Sequence, residues 1–283
     1  MHPKRPDRQW CKNEKTPVNP PVNPLLALRV FCAIILPMEI YTGTSGYSYP
    51  HWLNGVFYPE KWPKNKLLEY YCQKFNSVEL NVTFYRLPNQ KVFKNWYRRT
   101  PKEFRFSVKG SRFITHIKRL KDINKSIDIF FENASCLKEK LSCVLWQFPA
   151  YFRHDLERLS KFISLLKKNK TAQETRQTLE FREKSWFSEP VFSLLEENNL
   201  SLCIADSQKW PSSEKAVSDF IYLRFHGGKE LYNSNYSQPE LEAWAEKIKP
   251  LLKNKKALFA FFNNDASGFA VNNALSFRKI LGK

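Results

Sequence analysis

Several features that mark common protein classes are missing from this sequence. The six cysteines include no C-x-x-C pair and no ligand-like spacing, so neither a disulfide framework nor a zinc ribbon is indicated. Only five histidines are present, and His2 lies near the amino terminus, which leaves too few ligands for a multinuclear zinc site. No G-x-G-x-x-G motif follows the first predicted strand, so dinucleotide binding is not supported. The pattern predicts free thiols in a cytoplasmic protein without a cofactor.

A run long enough to cross a membrane is also missing. The most apolar stretch, LLALRVFCAIIL, is broken by Arg29 and is too short to span a bilayer. It follows a proline-rich polar leader, and no small-residue cleavage site comes after it. We therefore expect residues 1–37 to be a disordered extension or an artefact of an upstream start, residues 38–283 to form the folded domain, and no membrane partner.

Acidic residues are scarce relative to basic ones. The chain has 46 Lys and Arg against 27 Asp and Glu, a net charge of +19, which favours an anionic partner. Nucleic acid is one alternative, with Trp52, Trp62 and Trp96 as residues that could stack on bases. The basic stretches, however, resemble the solvated outer faces of several helices, and the tryptophans could equally pack over the mouth of a barrel. The sequence leaves both interpretations open and does not indicate the oligomeric state.

Strand-like segments alternate with helix-like ones from Met38 onward. Eight strands are predicted, at 39–46, 75–81, 104–110, 143–149, 177–182, 200–206, 220–227 and 257–264. Six helices are predicted between them, at 64–75, 90–100, 126–140, 155–169, 189–199 and 239–254, whereas the segment after strand six is too short and too proline-broken for a helix. Eight such units predict an α/β fold, a single-domain (β/α)8 TIM-type barrel, with an open doubly wound sheet as the alternative.

One face of several predicted strands carries charge. In FIYLRFHG, Ile221, Leu223 and Phe225 alternate with Tyr222, Arg224 and His226, and strands two, three and five divide in the same way. Helices cover the apolar faces of a barrel, so the polar faces should point into the lumen. Buried charges need partners. We therefore expect an ion network near the open end that joins the acidic and basic residues of these strands: Glu79, Glu180, Asp206, Arg105, Lys109, Arg182 and Arg224.

A series of motifs carries a family resemblance. YTGTSGYSYPHW, GVFYPEKWP, VELNVTFYRLP, FRFSVKGSRFITH, QFP, LEFREKSW, YLRFHGG and FFNNDASGFAVNNA occur in order from Ile40 to about Leu275. Together they resemble the YecE-like family, catalogued as domain of unknown function 72. The resemblance implies a TIM-type barrel but no activity, because the biochemistry of that family is unassigned. This chain departs from the pattern at Tyr47, where the first motif usually has tryptophan, and in its leader and basic surface.

The predicted site lies at the carboxyl-terminal ends of the strands, where TIM barrels build their active sites. The surplus of basic side chains there favours a small anionic or phosphorylated polar substrate. We assign acid–base roles to Glu79, Glu180 and His226. Substrate-binding roles are predicted for Asn81, Lys109, His116, Arg182, Asp206, Arg224, Gly227, Gly228, Asn263, Asn264 and Asp265. A phosphate could meet the backbone N–H groups of Gly227 and Gly228, although a tight turn explains that pair equally well; a surface-loop role for His116 and a purely structural ion network are further alternatives.

Two other chemistries can be weighed by position. A retaining glycosidase needs paired carboxyl groups, but strands four and seven end in Gln147 and in Arg224 and His226. A single Mg²⁺ or Mn²⁺ held by Glu180, Asp206 and Glu79 would make the protein a metal-dependent hydrolase or isomerase. The neighbouring arginines make this alternative weaker than anion binding.

Overall fold

Eight parallel strands form the centre of the molecule. The computed structural model describes residues 38–282. The strands are β1 Glu39–Thr44, β2 Ser77–Leu80, β3 Arg105–Lys109, β4 Leu141–Gln147, β5 Arg176–Glu180, β6 Ser201–Asp206, β7 Phe220–Phe225 and β8 Ala257–Phe262. Their order in the sheet is β1-β8-β7-β6-β5-β4-β3-β2, so strands that follow one another along the chain are also neighbours in space. This arrangement is a nearly closed barrel and confirms the predicted fold class.

Helices occupy most of the connections between the strands. They are α1 Leu67–Lys74, α2 Val82–Tyr85, α3 Gln90–Arg98, α4 Asn124–Ala134, α5 Leu156–Lys168, α6 Lys170–Gln173, α7 Glu189–Glu197, α8 Gln238–Ile248 and α9 Phe269–Ile280. Side chains define several helix starts: Asn89 accepts a hydrogen bond from the Val92 amide and Asp155 one from the Arg158 amide. Ser237 and Glu240 form a capping box at α8.

Two apolar cores follow from the alternation of side chains along the strands. The larger lies between the barrel and its helices and includes Ile221, Leu223 and Phe225 of β7. The smaller fills the lower lumen with residues of five strands: Tyr41, Cys143, Leu145, Cys203, Ala205, Phe220, Tyr222, Ala257, Phe259 and Phe261. The predicted division of β7 into a helix face and a lumen face is therefore confirmed.

The barrel closes between β1 and β2 through side chains. Asn76 donates to the Ile40 carbonyl and accepts from the Thr42 amide, at 2.7 and 3.1 Å. The buried hydroxyl of Tyr71 accepts from the Thr44 amide at 2.9 Å and donates to the Ser77 carbonyl at 3.2 Å. The chains come so close that a Cβ on Gly43 would lie 2.2 Å from the Ser77 oxygen. We call this set of contacts the β1–β2 seam.

The predicted elements match the structure with few exceptions. All eight strands and all six helices are present, and residues 207–219 contain no helix, as expected. The structure contains three helices in addition to those predicted, α2, α6 and α9, and a π-helical turn at Phe113–Ile117. Val82 continues the apolar alternation of Val78 and Leu80 in the sequence, but it lies in α2 and is 49% exposed, because β2 ends at Leu80. The predictions for residues 1–37 lie outside the described residues.

Two further expectations concern cysteines and membranes. The four cysteines of the described residues are free thiols, and Cys143 and Cys203 are buried in the lumen. Burial raises the pKa of both thiols well above its ordinary value, so they are inert thiols of the lumen core. Within residues 38–282, no helix combines the length and the apolar character needed to cross a bilayer.

Candidate functional site

A buried arginine joins two glutamates in the upper lumen. Arg224 extends from β7 with none of its side chain exposed. Its Nε and Nη2 donate to Glu79 of β2 at 3.0 and 2.7 Å, and its Nη1 donates to Glu180 of β5. One guanidinium thus bridges two strands that are separated by β3 and β4 in the sheet. We call Glu79, Glu180, Arg224 and His226 the ion layer.

Glu79 is held by four hydrogen bonds. Besides the two from Arg224, it accepts from Ser45 Oγ and from Tyr222 Oη, each at 2.7 Å. Burial alone would raise the pKa of this carboxyl group, but the Arg224 charge and the hydrogen bonds keep it below its usual value. Glu79 is therefore an ionised carboxylate whose oxygens are all occupied.

Glu180 and His226 complete the ion layer. Glu180 Oε1 accepts from Gln147 Nε2 and Arg182 Nε, each at 2.9 Å, and lies 3.6 Å from His226 Nε2. Burial opposes ionisation of Glu180, but Arg224 and Arg182 hold its pKa well below the ordinary value. Burial and the Arg224 charge lower the pKa of His226 to about 4, so its imidazole is neutral at physiological pH.

A cavity of about 610 Å³ opens above the ion layer. Its wall comes from the loops and strand ends on the carboxyl-terminal side of the barrel. The lining residues are Tyr49, His51, Asn81, Phe84, Tyr85, Lys109, Arg112, His116, Gln147, Arg182, Tyr232, Asn263, Asp265 and Ala266. Three of the lining residues are basic, namely Lys109, Arg112 and Arg182. Asp265 is the one lining residue with a carboxylate.

The single carboxylate of the cavity wall is already engaged. Asp265 Oδ2 lies 2.9 Å from His51 Nε2, and Oδ1 accepts from Trp52 Nε1 at 2.8 Å. Burial raises the pKa of Asp265, against the effect of these two partners. Because Asp265 is already paired with His51 and Trp52, no carboxylate among the lining residues is left to pair with the cations of the cavity.

Lys109 is the least paired of the buried cations. It ends β3, is only 7% exposed, and its Nζ lies 4.1 Å from the centre of the Phe84 ring. Among the described residues no carboxylate approaches Nζ within 4.0 Å. Burial, and next the Arg224 charge, lower its pKa to about 7. The same wall holds His116, whose pKa is lowered to about 4 by burial and by Lys109.

Six of the predicted site residues meet in this cavity and four lie directly beneath it. Asn81, Lys109, His116, Arg182, Asn263 and Asp265 line the cavity. Asn263 Nδ2 lies 3.2 Å from His226 Nδ1, which connects the cavity wall to the ion layer. The cavity wall does not include Glu79, Glu180, Arg224 or His226, each of which is at most 1% exposed.

Four predicted binding residues lie elsewhere, and the expected network is smaller than proposed. Asp206 lies beside Gly228 on the outer face of β6, and burial, followed by the Asp206 charge, raises the pKa of Tyr236. Asn264 is fully buried and donates to Ser234 and Asn273 at 2.8 Å. Arg105 also lies outside the network, because it begins β3 at the opposite end of the barrel and donates to local carbonyl groups.

The glycine pair after β7 forms a turn. Gly227 has a φ of 96° and its amide donates to Tyr236 Oη at 3.0 Å, so this N–H is not available to a phosphate. A Cβ at Gly227 would lie 2.3 Å from the Glu230 carbonyl oxygen. Of the two interpretations left open by the sequence, the geometry fits the tight turn.

The residues on which the metal-binding and base-stacking alternatives depend are not arranged for those roles. Arg224 stands between Glu79 and Glu180, Asp206 faces away, and residues 38–282 contain no cluster of three metal-ligating side chains. Trp52 is fully buried, and Trp96 is buried with its Nε1 donating to Tyr47 Oη at 3.0 Å. Trp62 is half-buried and donates to the Lys66 carbonyl. These tryptophans pack the β1–α1 loop rather than offering open stacking surfaces.

Several cavity residues are additional to those predicted. They lie in the segments that connect the strands, outside the strand periodicity: Tyr49, His51, Phe84, Tyr85, Arg112 and Tyr232. Arg112 could have been found from the arginine-flanked SRFITH loop that drew attention to His116. The others become site residues only when the loops fold over the barrel mouth.

The fold and the cavity together define a TIM-type barrel with a basic site at its carboxyl-terminal end. The chain belongs to the DUF72 family, described as "Protein of unknown function DUF72", whose model matches residues 41–283. This finding confirms the resemblance to the YecE-like family.

Related sequences and structures agree with this assignment. The chain is similar to UPF0759 protein YunF of Bacillus subtilis, at 27% identity over 273 residues, 86% of this chain and 94% of YunF. It is 32% identical over 114 residues to UPF0759 protein YecE of Escherichia coli, 40% of this chain and 39% of YecE. A DUF72 family crystal structure from Thermotoga maritima matches with a TM-score of 0.76 at 31% identity, covering 87% of this chain and 100% of that one. A second DUF72 family structure, from Enterococcus faecalis, has a TM-score of 0.72 at 22% identity, covers 87% and 96% of the two chains, and supports the fold alone.

Proposed function

We propose that this protein is an enzyme that binds a small carboxylate or phosphate compound in the cavity and converts it by proton transfer. The observation that carries the proposal is the charge of the cavity wall. Lys109, Arg112 and Arg182 face the space, whereas the only carboxylate of the wall, Asp265, is paired with His51 and Trp52. An anion is the ligand that such a wall stabilises best.

Arg182 is held ready for a ligand. Its Nε is fixed by Glu180 at 2.9 Å, and its guanidinium lies 4.7 Å from the centre of the Trp210 ring. Its side chain remains 13% exposed toward the cavity. A guanidinium that is anchored at one edge loses little conformational freedom when its other edge binds a carboxylate or phosphate.

In this proposal the ion layer supports the site instead of reacting with the substrate. Glu79 has no free oxygen, and the lowered pKa values of Glu79 and Glu180 make both carboxylates weak bases. Among the charged or basic groups that line the cavity, His51 and Asp265 pair with each other and the arginines stay protonated, so we assign the proton transfer to Lys109 and His116. Their contact with the cavity space distinguishes them from His226, which is fully buried.

Titration with inorganic phosphate, followed by calorimetry and thermal unfolding, tests the proposal. We expect Arg112→Gln to weaken phosphate binding by about 10–100-fold, as expected for the loss of one charge-assisted hydrogen bond. Arg153→Gln is the matched control, because Arg153 is exposed on the same end of the barrel but does not line the cavity. Equal affinities in the two variants, or no saturable binding to the wild type, would refute the proposal.

A further inference from the structure

Two buried lysines of this barrel differ sharply in their surroundings. Lys140 is 4% exposed, and its Nζ donates to the Tyr97 and Thr100 carbonyls at 2.7 Å and to Thr100 Oγ1 at 3.1 Å. Those three acceptors match the three hydrogens of an ammonium group. Lys109 is buried to a similar degree but has no such acceptor among the described residues. Lys140 is thus a structural lysine, and Lys109 needs another explanation.

The environment of Lys109 favours a neutral amine. Burial removes water from Nζ, and the positive charges of Arg224 and Arg182 disfavour a further cation, against the weaker opposite effect of Glu180 and Glu79. A lysine desolvated beside other cations is the form in which this side chain acts as a nucleophile. At neutral pH its neutral-amine fraction is roughly a thousandfold that of an ordinary lysine.

The cavity places binding groups around this amine. Phe84 covers one side of Nζ at 4.1 Å, while Lys109, Arg112 and Arg182 line the same space. A ligand whose acidic group is held by the two arginines would present its neighbouring atoms to Lys109. An electrophilic carbon is the group that an amine in this position attacks.

We infer that Lys109 is a catalytic nucleophile that forms an imine with a small carbonyl compound bearing a carboxylate or phosphate group. This inference rests on the proposed function, gives Lys109 the covalent step and leaves the proton transfer to His116, and narrows the substrate class to oxo-acids and phosphorylated aldehydes or ketones. No other side chain that lines the cavity is an amine.

The proposed step balances without a further reactant. The lone pair of Nζ forms the C–N bond as the carbonyl π electrons move to oxygen, which takes a proton. Nitrogen loses a proton, the C–O bond breaks, and the hydroxyl group leaves as water after protonation. The sum is amine, carbonyl and one proton giving a protonated imine and water, with the proton supplied by solvent at the cavity mouth and no change of oxidation state.

Reductive trapping tests the inference directly. The wild-type protein is incubated with pyruvate, with glyceraldehyde 3-phosphate or with acetone, each in the presence of sodium cyanoborohydride, and peptide mass spectrometry locates the adducts. We expect stoichiometric modification of Lys109 by the two anionic probes and little by acetone, which lacks the group that Arg112 and Arg182 bind. Lys140→Met should still be modified at Lys109.

A charge-conserving variant separates this inference from the proposed function. Lys109→Arg keeps a cation in the wall but removes the nucleophile, so we expect it to bind phosphate and to form no adduct. If the wild type binds phosphate but neither anionic probe modifies Lys109, the nucleophile assignment is wrong and the proposed function stands. If the wild type binds no phosphate, the proposed function fails first. Adducts that are no more frequent at Lys109 than at exposed lysines would also overturn the inference.

Discussion

Arg224 shows how a single residue can decide whether a barrel interior tolerates charge. The cost of removing three charged groups from water is offset only because one guanidinium satisfies two carboxylates at once. Loss of the arginine should therefore lower the free energy of unfolding more than loss of an ordinary ion pair, because it leaves two buried carboxylates without a cation.

Arg224→Met tests that prediction. We expect its free energy of unfolding to fall by about 3–5 kcal/mol in urea titrations, as for a broken buried pair. Lys161→Met breaks the exposed pair with Glu157, in which both side chains are more than 70% exposed, and should change stability by no more than about 0.5 kcal/mol. The triple variant Glu79→Gln, Glu180→Gln, Arg224→Met should recover part of the loss; similar costs for Arg224→Met and Lys161→Met would contradict this account.

Lys109 predicts a pH dependence of stability. Its pKa is about 7 in the folded protein against an ordinary value of 10.5, so between these pH values the unfolded chain binds the additional proton. The free energy of unfolding should therefore rise with pH in this window, by roughly 1–4 kcal/mol in total. Below pH 7 both states are protonated, and the destabilisation is complete.

Comparison with variants isolates this contribution from other titrating groups. The wild type should gain stability relative to Lys109→Met between pH 7 and 10.5, whereas the exposed control Lys125→Met should follow the wild type throughout. Parallel curves for the wild type and Lys109→Met would show that the lysine is not destabilised by burial.

At the scale of elements, the β1–β2 seam is the junction that depends on named side chains. The other seven junctions of the barrel are parallel ladders with regular register or, between β3 and β4, one shift. Tyr71 of α1 connects the two strands of the seam. Its hydroxyl accepts a hydrogen bond from the Thr44 amide and donates one to the Ser77 carbonyl.

Tyr71→Phe should weaken this junction specifically. Removing the hydroxyl leaves buried backbone groups unpaired, which costs about 1–3 kcal/mol. Relative to the wild type, we expect amide hydrogen exchange in Tyr71→Phe to become faster at Thr44 than at Leu223 in the middle of β7. Tyr97→Phe removes an exposed hydroxyl bonded to Glu139 and should leave both stability and exchange unchanged. Unaltered exchange at Thr44 in Tyr71→Phe would mean that the seam does not depend on this hydroxyl.

At the scale of the whole molecule, the surplus of basic residues predicts two kinds of anion binding with different salt dependence. Binding of a single-stranded oligonucleotide to a basic exterior should weaken steeply as salt rises, because counterions are released. Phosphate held in the partly buried cavity should respond less, because buried charges are less screened. Titrations at low and at moderate salt, followed by fluorescence, measure the affinity for the oligonucleotide and for phosphate. The wild type is compared with Arg112→Gln and Arg153→Gln. Oligonucleotide binding that falls steeply with salt, without saturable binding of phosphate, would favour a nucleic-acid function instead.

Sequence reasoning predicted the barrel well because parallel strands impose a strict alternation. That alternation alone placed Tyr222 and Arg224 on the lumen face of β7 and Leu223 on its helix face. Asp206 was expected in the lumen, but it shares the outer face of β6 with Leu202 and Ile204. Tyr49, Phe84 and Arg112 were not predicted, because the positions of segments that connect the strands near a barrel mouth depend on tertiary packing that has no local sequence signal.

The seam also has a consequence for how such a barrel varies between related chains. Ladders of peptide groups persist through most substitutions, because every residue other than proline supplies the same donor and acceptor. Closure at β1 and β2 instead depends on the identities of Gly43, Tyr71 and Asn76. These three residues thus determine how closely β1 and β2 approach each other. Substitutions at these positions would widen the junction without altering the order of the strands.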